Sequence, residues 1–120
     1  MRILVVEDNL DSARMMKRLL EREQHTVALA HCADEARIAC EQSRFALAIC
    51  DINLPDESGW SLMQELKSRY QLKGIALSAL NSAADIVNSH EAGFAAHLAK
   101  PLRIDALLST IRKVASDGTE

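Results

Sequence analysis

Short apolar runs in this sequence give way, one after another, to residues able to do chemistry. Ile3–Val6 is followed by Glu7, Asp8 and Asn9, Ala46–Cys50 by Asp51, Ile75–Leu77 by Ser78, and Ala95–Leu98, after Ala99, by Lys100. If the first, third and fourth runs are neighbouring strands, three carboxylates, a hydroxyl and an ammonium meet at one sheet edge. Carboxylates that close repel one another and destabilise an empty site. A hard divalent cation relieves the repulsion. Mg²⁺, or Mn²⁺ in its place, takes oxygen ligands and keeps waters beside one or two carboxylates and a phosphate. Lys100 supplies a second positive charge. One carboxylate then becomes a nucleophile toward a phosphoryl donor, with the cation and the lysine stabilising charge on the transferring group. Asp51 is the candidate nucleophile because it ends the most central run. Glu7 and Asp8 are placed as metal ligands, directly or through water. The backbone carbonyl of Asn53 completes the shell, and the Ser78 hydroxyl can hydrogen-bond a phosphoryl oxygen.

The elements that must position these residues are legible as alternation. A further apolar run, Val27–Ala30, makes five candidate strands. Between them apolar residues recur at three- and four-residue steps: Ala13, Met16, Leu19 and Leu20; Ala36, Ala39 and Cys40; Leu62 and Leu66; Ile104, Leu107, Leu108 and Ile111. Asn9 is placed to cap the first helix, and Asn81 or Ser82 the fourth. Gly93 is a left-handed terminator of that fourth helix, and Pro55 and Gly59 bracket a loop. Pro101 stands before the last helix, where its missing N–H costs little. Five strand–helix units predict an α/β fold, a doubly wound five-stranded parallel sheet covered on both faces. Right-handed crossovers leave few topologies, and the flavodoxin-like order 2-1-3-4-5 is the common one at this size.

The bulk numbers fit that architecture. At 120 residues the chain suits a single domain, residues 1–120, with a core at about 2–116. Hydrophobic residues at 48% permit a packed interior, and a net charge of −3 with interleaved signs lacks the basic footprint of a nucleic-acid binder. Cys32, Cys40 and Cys50 are odd in number and form no C-x-x-C pair. This argues against zinc and disulfides and for a reducing, cytoplasmic setting. The four-residue apolar run near the start is too short for a signal peptide or a membrane span. The segment 116–120 reads as a frayed end or a cut linker.

Taken together, Ile3-Leu4-Val5-Val6-Glu7-Asp8-Asn9, Asp51-Ile52-Asn53-Leu54-Pro55 with Gly59, Leu77-Ser78-Ala79, Glu91-Ala92-Gly93-Phe94 and Lys100-Pro101 resemble the receiver domain of bacterial two-component response regulators. The resemblance covers residues 2 to 116. Each motif alone is weak, and their order along the chain is what makes the match specific. It implies a receiver fold and Mg²⁺-dependent transfer from a phosphohistidine of a histidine kinase or phosphotransfer protein onto Asp51. It further implies Glu7 and Asp8 as the acidic pair, Ser78 as the switch hydroxyl, Lys100 on the phosphoryl group, and a cis Lys100–Pro101 peptide. The family's switch moves that hydroxyl and turns an aromatic residue of strand five, shifting a conformational population. Here the aromatic position is His97, which is polar and can titrate, so a weaker or pH-sensitive switch is expected. Leu80, near the site mouth, is expected to hinder attacking water and slow dephosphorylation.

Bland readings weigh against each residue singly: a solvated acidic loop, a capping Asp, an edge serine, a free lysine. Their shared sheet edge outweighs them. His25, His31 and His90 lack ligand spacing and read as surface or edge residues. Trp60 and Tyr70 read as packing near the third helix, and Cys50 as a small core residue. The alternative function is a degenerate receiver serving as an interaction module, although no site residue is missing. An aspartate-nucleophile phosphatase ranks behind, because its usual second Asp would stand where Asn53 is. A flavodoxin would place a phosphate where Glu7 and Asp8 repel it. The domain is therefore expected to be a switch rather than an enzyme, with no nucleic-acid or membrane contact of its own. Its output would be a protein bound through the face of helix 4, strand 5 and helix 5. The parent is either a stand-alone regulator or a hybrid histidine kinase, towards which the stretch Glu91–Pro101 leans.

Overall fold

A computed structural model describes residues 1–79 and 82–116. The elements run β1 (Arg2–Val6), α1 (Leu10–Arg22), β2 (Thr26–Ala30), α2 (Ala33–Gln42), β3 (Leu47–Asp51), α3 (Gly59–Tyr70), β4 (Lys73–Ser78), α4 (Ala83–Glu91), β5 (Ala96–Ala99) and α5 (Ile104–Ser116). All strand pairs are parallel and the order is β2-β1-β3-β4-β5. The expected doubly wound α/β architecture and its strand order are thus what the chain adopts.

Strand alternation divides the core into two. Leu4, Val6, Ala48, Cys50 and Ala76 face α2 and α3, where they meet Ala36, Cys40, Leu62, Met63 and Leu66. Ile3, Val5, Leu47, Ile49, Ile75 and Leu77 face the other way, onto Met16 and Leu20 of α1 and Leu107, Ile111 and Val114 of α5. Successive side chains of a strand point to opposite faces, so a strand apolar at every position is buried on both.

Caps place the helix starts at the carboxyl edge of the sheet. Asn9 Oδ1 accepts from Ser12 N, and the Ser58 hydroxyl accepts from Ser61 N. Ser82 and Asp85 form a reciprocal capping box on α4. Asn81, the alternative cap, lies outside the described residues. Gly93 takes φ 104° just beyond α4, as its position predicted. Pro101 stands three residues ahead of the first residue of α5 and so belongs to the preceding loop, not to the first helical turn. The Lys100–Pro101 peptide is cis. Leu80 and residues 117–120, on which two expectations rest, lie outside the described residues. Among the described residues no helix is long and apolar enough to cross a membrane.

Candidate functional site

β1 and β3 are adjacent, with Val6 opposite Cys50, so the residues that follow them emerge side by side. Carboxylate oxygens of Glu7, Asp8 and Asp51 lie within 4.8 Å of one another. Glu7 is fully buried, Asp51 is 5% exposed and Asp8 is exposed. Lys100 reaches over from the end of β5. Its Nζ donates to Glu7 Oε1 at 2.7 Å and to Asp51 Oδ2 at 2.6 Å. Its own main chain is pinned to β4, where Lys100 N donates to the Ser78 carbonyl at 2.8 Å. Asp51 Oδ1 accepts from Asn53 N at 2.8 Å, and Glu7 Oε2 accepts from Asn9 N at 3.4 Å. Ser78 is fully buried, one residue past the Leu77 that pairs with Asp51.

Three carboxylates against one ammonium leave two negative charges at the site. Burial raises Glu7 above the usual carboxylate range, with the neighbouring Asp51 charge adding to it and Lys100 working against it. Burial pushes Lys100 down, but its bonds to Asp51 and Glu7 outweigh that and leave it raised. An all-oxygen donor set with surplus negative charge fits a hard divalent cation. An open cleft of about 430 Å³ runs from Asp8 along Asn53 and Leu54 to Ser58, giving an approach from solvent.

The raised Glu7 makes a testable statement about stability. The folded state holds its Glu7 proton to higher pH than the unfolded chain, whose ordinary value is 4.5. Stability of the metal-free protein is therefore expected to fall as pH rises from about 4.5 through the raised value. Added Mg²⁺ should flatten that slope, and Glu7→Gln should remove it. Thermal unfolding across pH in chelator and in Mg²⁺ checks this. A metal-free Tm that climbs over the same window would contradict it.

Behind the nucleophile candidate, the Cys50 thiol donates to the Asp51 carbonyl at 3.2 Å, and burial drives its pKa up, so it stays a neutral core group. His97 on β5 is half-buried, its Nδ1 3.0 Å from the Ser89 hydroxyl. The same hydroxyl accepts from Trp60 Nε1 at 2.9 Å, so the switch candidate is tied through α4 to α3. Two residues near the site escaped the sequence reading. His31, read as a surface or edge residue, places its Nδ1 3.1 Å from the Glu7 carbonyl. Asp56 accepts from Ala33 N and Asp34 N at the start of α2. Neither has a local spacing signal, because each partner lies more than twenty residues away in sequence.

The comparison with known families decides what this edge belongs to. A family model described as the response regulator receiver domain matches residues 3–112. The chain belongs to that family. Among curated relatives, the uncharacterized transcriptional regulatory protein YkoG of Bacillus subtilis is 33% identical over 111 residues, which are 92% of this chain and 49% of that protein. The transcriptional regulatory protein CpxR of Escherichia coli is 30% identical over 113 residues, 94% of this chain and 48% of that protein. The receiver thus spans about half the length of these relatives. Among solved structures, a response regulator receiver domain protein from Methanospirillum hungatei superposes with a TM-score of 0.89 at 33% identity, covering 97% of this chain and 94% of that one. A receiver domain of a signal transduction histidine kinase from Syntrophus aciditrophicus gives 0.88 at 28% identity, covering 99% and 92%. The resemblance read from the motifs and the receiver fold it implied are both borne out.

Proposed function

We propose that this receiver accepts a phosphoryl group on Asp51 in a Mg²⁺-dependent step and thereby switches a protein-binding surface. The observation that carries the reading is Lys100 Nζ bonded at once to Asp51 and to buried Glu7, beside the three-carboxylate cluster. Such a cluster is uneconomical unless a cation and an anionic group are to be held there.

Glu7, Asp8, Asp51 and the Asn53 carbonyl would hold Mg²⁺ (or Mn²⁺), which when bound would supply positive charge against the transferring phosphoryl oxygens. An Asp51 carboxylate oxygen attacks phosphorus and forms the new O–P bond. The N–P bond of a phosphohistidine breaks, and its electron pair leaves on the imidazole nitrogen, which takes up a proton. Lys100 is bonded to Asp51 and Glu7 before reaction and can turn one donor to the phosphoryl group, stabilising charge as it develops. Ser78, at the end of the adjacent strand, supplies the hydroxyl that follows the phosphoryl group. The phosphodonor is a histidine kinase or phosphotransfer protein in the cytoplasm, and the output surface is the α4, β5 and α5 face. Both a transcriptional regulator and a histidine kinase are parents consistent with the similar proteins.

His97 tunes the output. Its Nδ1 contact to Ser89 ties β5 to α4, and a hydrogen bond made by an imidazole changes character with the protonation of the ring. Partner affinity of the phosphorylated form is expected to vary with pH, and His97→Tyr should abolish that variation. An unchanged pH profile in the variant would remove the idea.

Incubation with a small acyl or amido phosphate, with and without Mg²⁺, tests the main reading. Incorporation that requires the metal is expected. No incorporation under any condition would leave a pure interaction module, and steady turnover of an unrelated phosphoester would favour a phosphatase.

A further inference from the structure

We propose that Asp56 and Arg37 are positioning residues that hold the β3–α3 loop in its metal-binding geometry. The inference rests on the reading above that the Asn53 carbonyl is a metal ligand.

The loop has an inner end and a tip. At the inner end, Asn53 N donates to Asp51 Oδ1 at 2.8 Å. Asn53 and Ser58 form an antiparallel bridge, and Gly59 N donates to the Ile52 carbonyl at 2.8 Å. The loop therefore closes on itself as a small hairpin whose tip is formed by residues 54–57. That tip is anchored to a different element. Asp56 Oδ1 accepts from Ala33 N at 2.9 Å, and its Oδ2 accepts from Asp34 N at 3.0 Å. The residue at the N-cap position of α2, Cys32, makes no side-chain cap, so a carboxylate from 23 residues downstream caps this helix instead. Glu57 is held separately. Arg37, one turn into α2, donates to Glu57 Oε1 at 2.6 Å and through Nε to both Glu65 oxygens at 3.0 and 3.2 Å. One guanidinium thus joins α2, the loop and α3.

Two independent charged braces on so short a polar loop exceed what a helix cap needs. A backbone carbonyl is aimed only by the dihedrals of its loop. An unbraced loop would have to be ordered at the moment of binding, and partners behind a ligand typically change metal affinity by an order of magnitude. Asp56 is also held below the usual carboxylate range, chiefly by the bond from Ala33 N, as expected for an anion on a helix start.

A Mn²⁺ titration of the whole chain, followed by the paramagnetic signal of free ion, tests this. Asp56→Ala is expected to bind Mn²⁺ about tenfold more weakly than wild type, with faster amide exchange over residues 53–57. Asp56→Asn, which keeps one acceptor oxygen, should fall between. Arg37→Gln leaves the cap intact and should weaken binding by a smaller factor. Ile111→Val, in the core on the opposite face, serves as a destabilised control and should leave affinity unchanged. If Asp56→Ala does not fold, Asp56→Asn and Arg37→Gln carry the decision. Loop variants that bind Mn²⁺ as wild type does, or no worse than Ile111→Val, would overturn the positioning role and leave the Asp51 site standing. A wild type without saturable Mn²⁺ binding would overturn both.

Discussion

Lys100→Ala is expected to slow phosphate incorporation roughly a hundredfold, the loss typical of removing one preorganised charge donor. It should also weaken the fold. Lys100 is the cation bonded to two carboxylates, one fully buried and the other nearly so. Removing one partner of a buried ion pair leaves an uncompensated charge, at about 3–5 kcal/mol in a sealed interior. Lys100 retains 30% side-chain exposure, and water can partly take its place, so about 2 kcal/mol is the better expectation. The sign with pH follows from the acids left behind. Glu7 protonates more readily without the ammonium, so the loss should shrink as pH falls toward the ordinary carboxylate range and grow above it. Urea unfolding at several pH values, with and without Mg²⁺, separates the two effects. Mg²⁺ should restore stability but not rate. A metal-free variant as stable as wild type at neutral pH would mean that Lys100 does not balance this cluster.

Gly59→Ala should damage the fold and the site together. Gly59 is the first residue of α3 and lies directly behind the end of β3, which carries the candidate phosphoacceptor. A methyl group there would run into the Asp51 carbonyl oxygen and stand 2.7 Å from Ile52 Cα. Both are main-chain atoms and cannot swing aside as a side-chain tip can. Overpacking against rigid backbone costs about 3 kcal/mol at the upper end of the usual range. Relief would require moving α3 away from β3 or displacing the Asp51–Ile52 segment, which carries the proposed nucleophile. Chemical unfolding and Mg²⁺-dependent phosphorylation should therefore fail together. Wild-type stability with wild-type phosphorylation would show that the segment is more compliant than its contacts indicate.

The fold was legible in the sequence because its inner strands are nearly continuous apolar runs and α1, α2, α3 and α5 keep an apolar stripe. Burial on both faces of the inner strands β1, β3 and β4 confines their polar residues to the strand ends, whereas β5 carries His97 within it. The chemistry was legible for a related reason. Each candidate sits at the end of its strand or just beyond it, so sequence order and strand order together place Glu7, Asp8, Asp51, Ser78 and Lys100 on one edge. What escaped were contacts between segments with no shared local pattern. Asp56 looks like an ordinary turn acid after Pro55, and nothing near it in sequence says that it caps α2. Arg37 reads as one more charge on an exposed helix face, yet it faces three carboxylates from as many places in the chain. Ser89, 1% exposed at the centre of the Trp60–His97 contact, has no spacing signal at all. Such pairings depend on how the loops sit over the sheet, which periodicity does not encode.

The most direct test of the site is to locate the phosphate. Wild type and Asp51→Asn are treated with a small phosphodonor in Mg²⁺, and base-labile phosphate is mapped by peptide. Phosphate confined to the Asp51 peptide in the wild type, and absent from the variant, is the expected result. Base-labile phosphate that persists in Asp51→Asn, or that maps to another residue of the wild type, would contradict it.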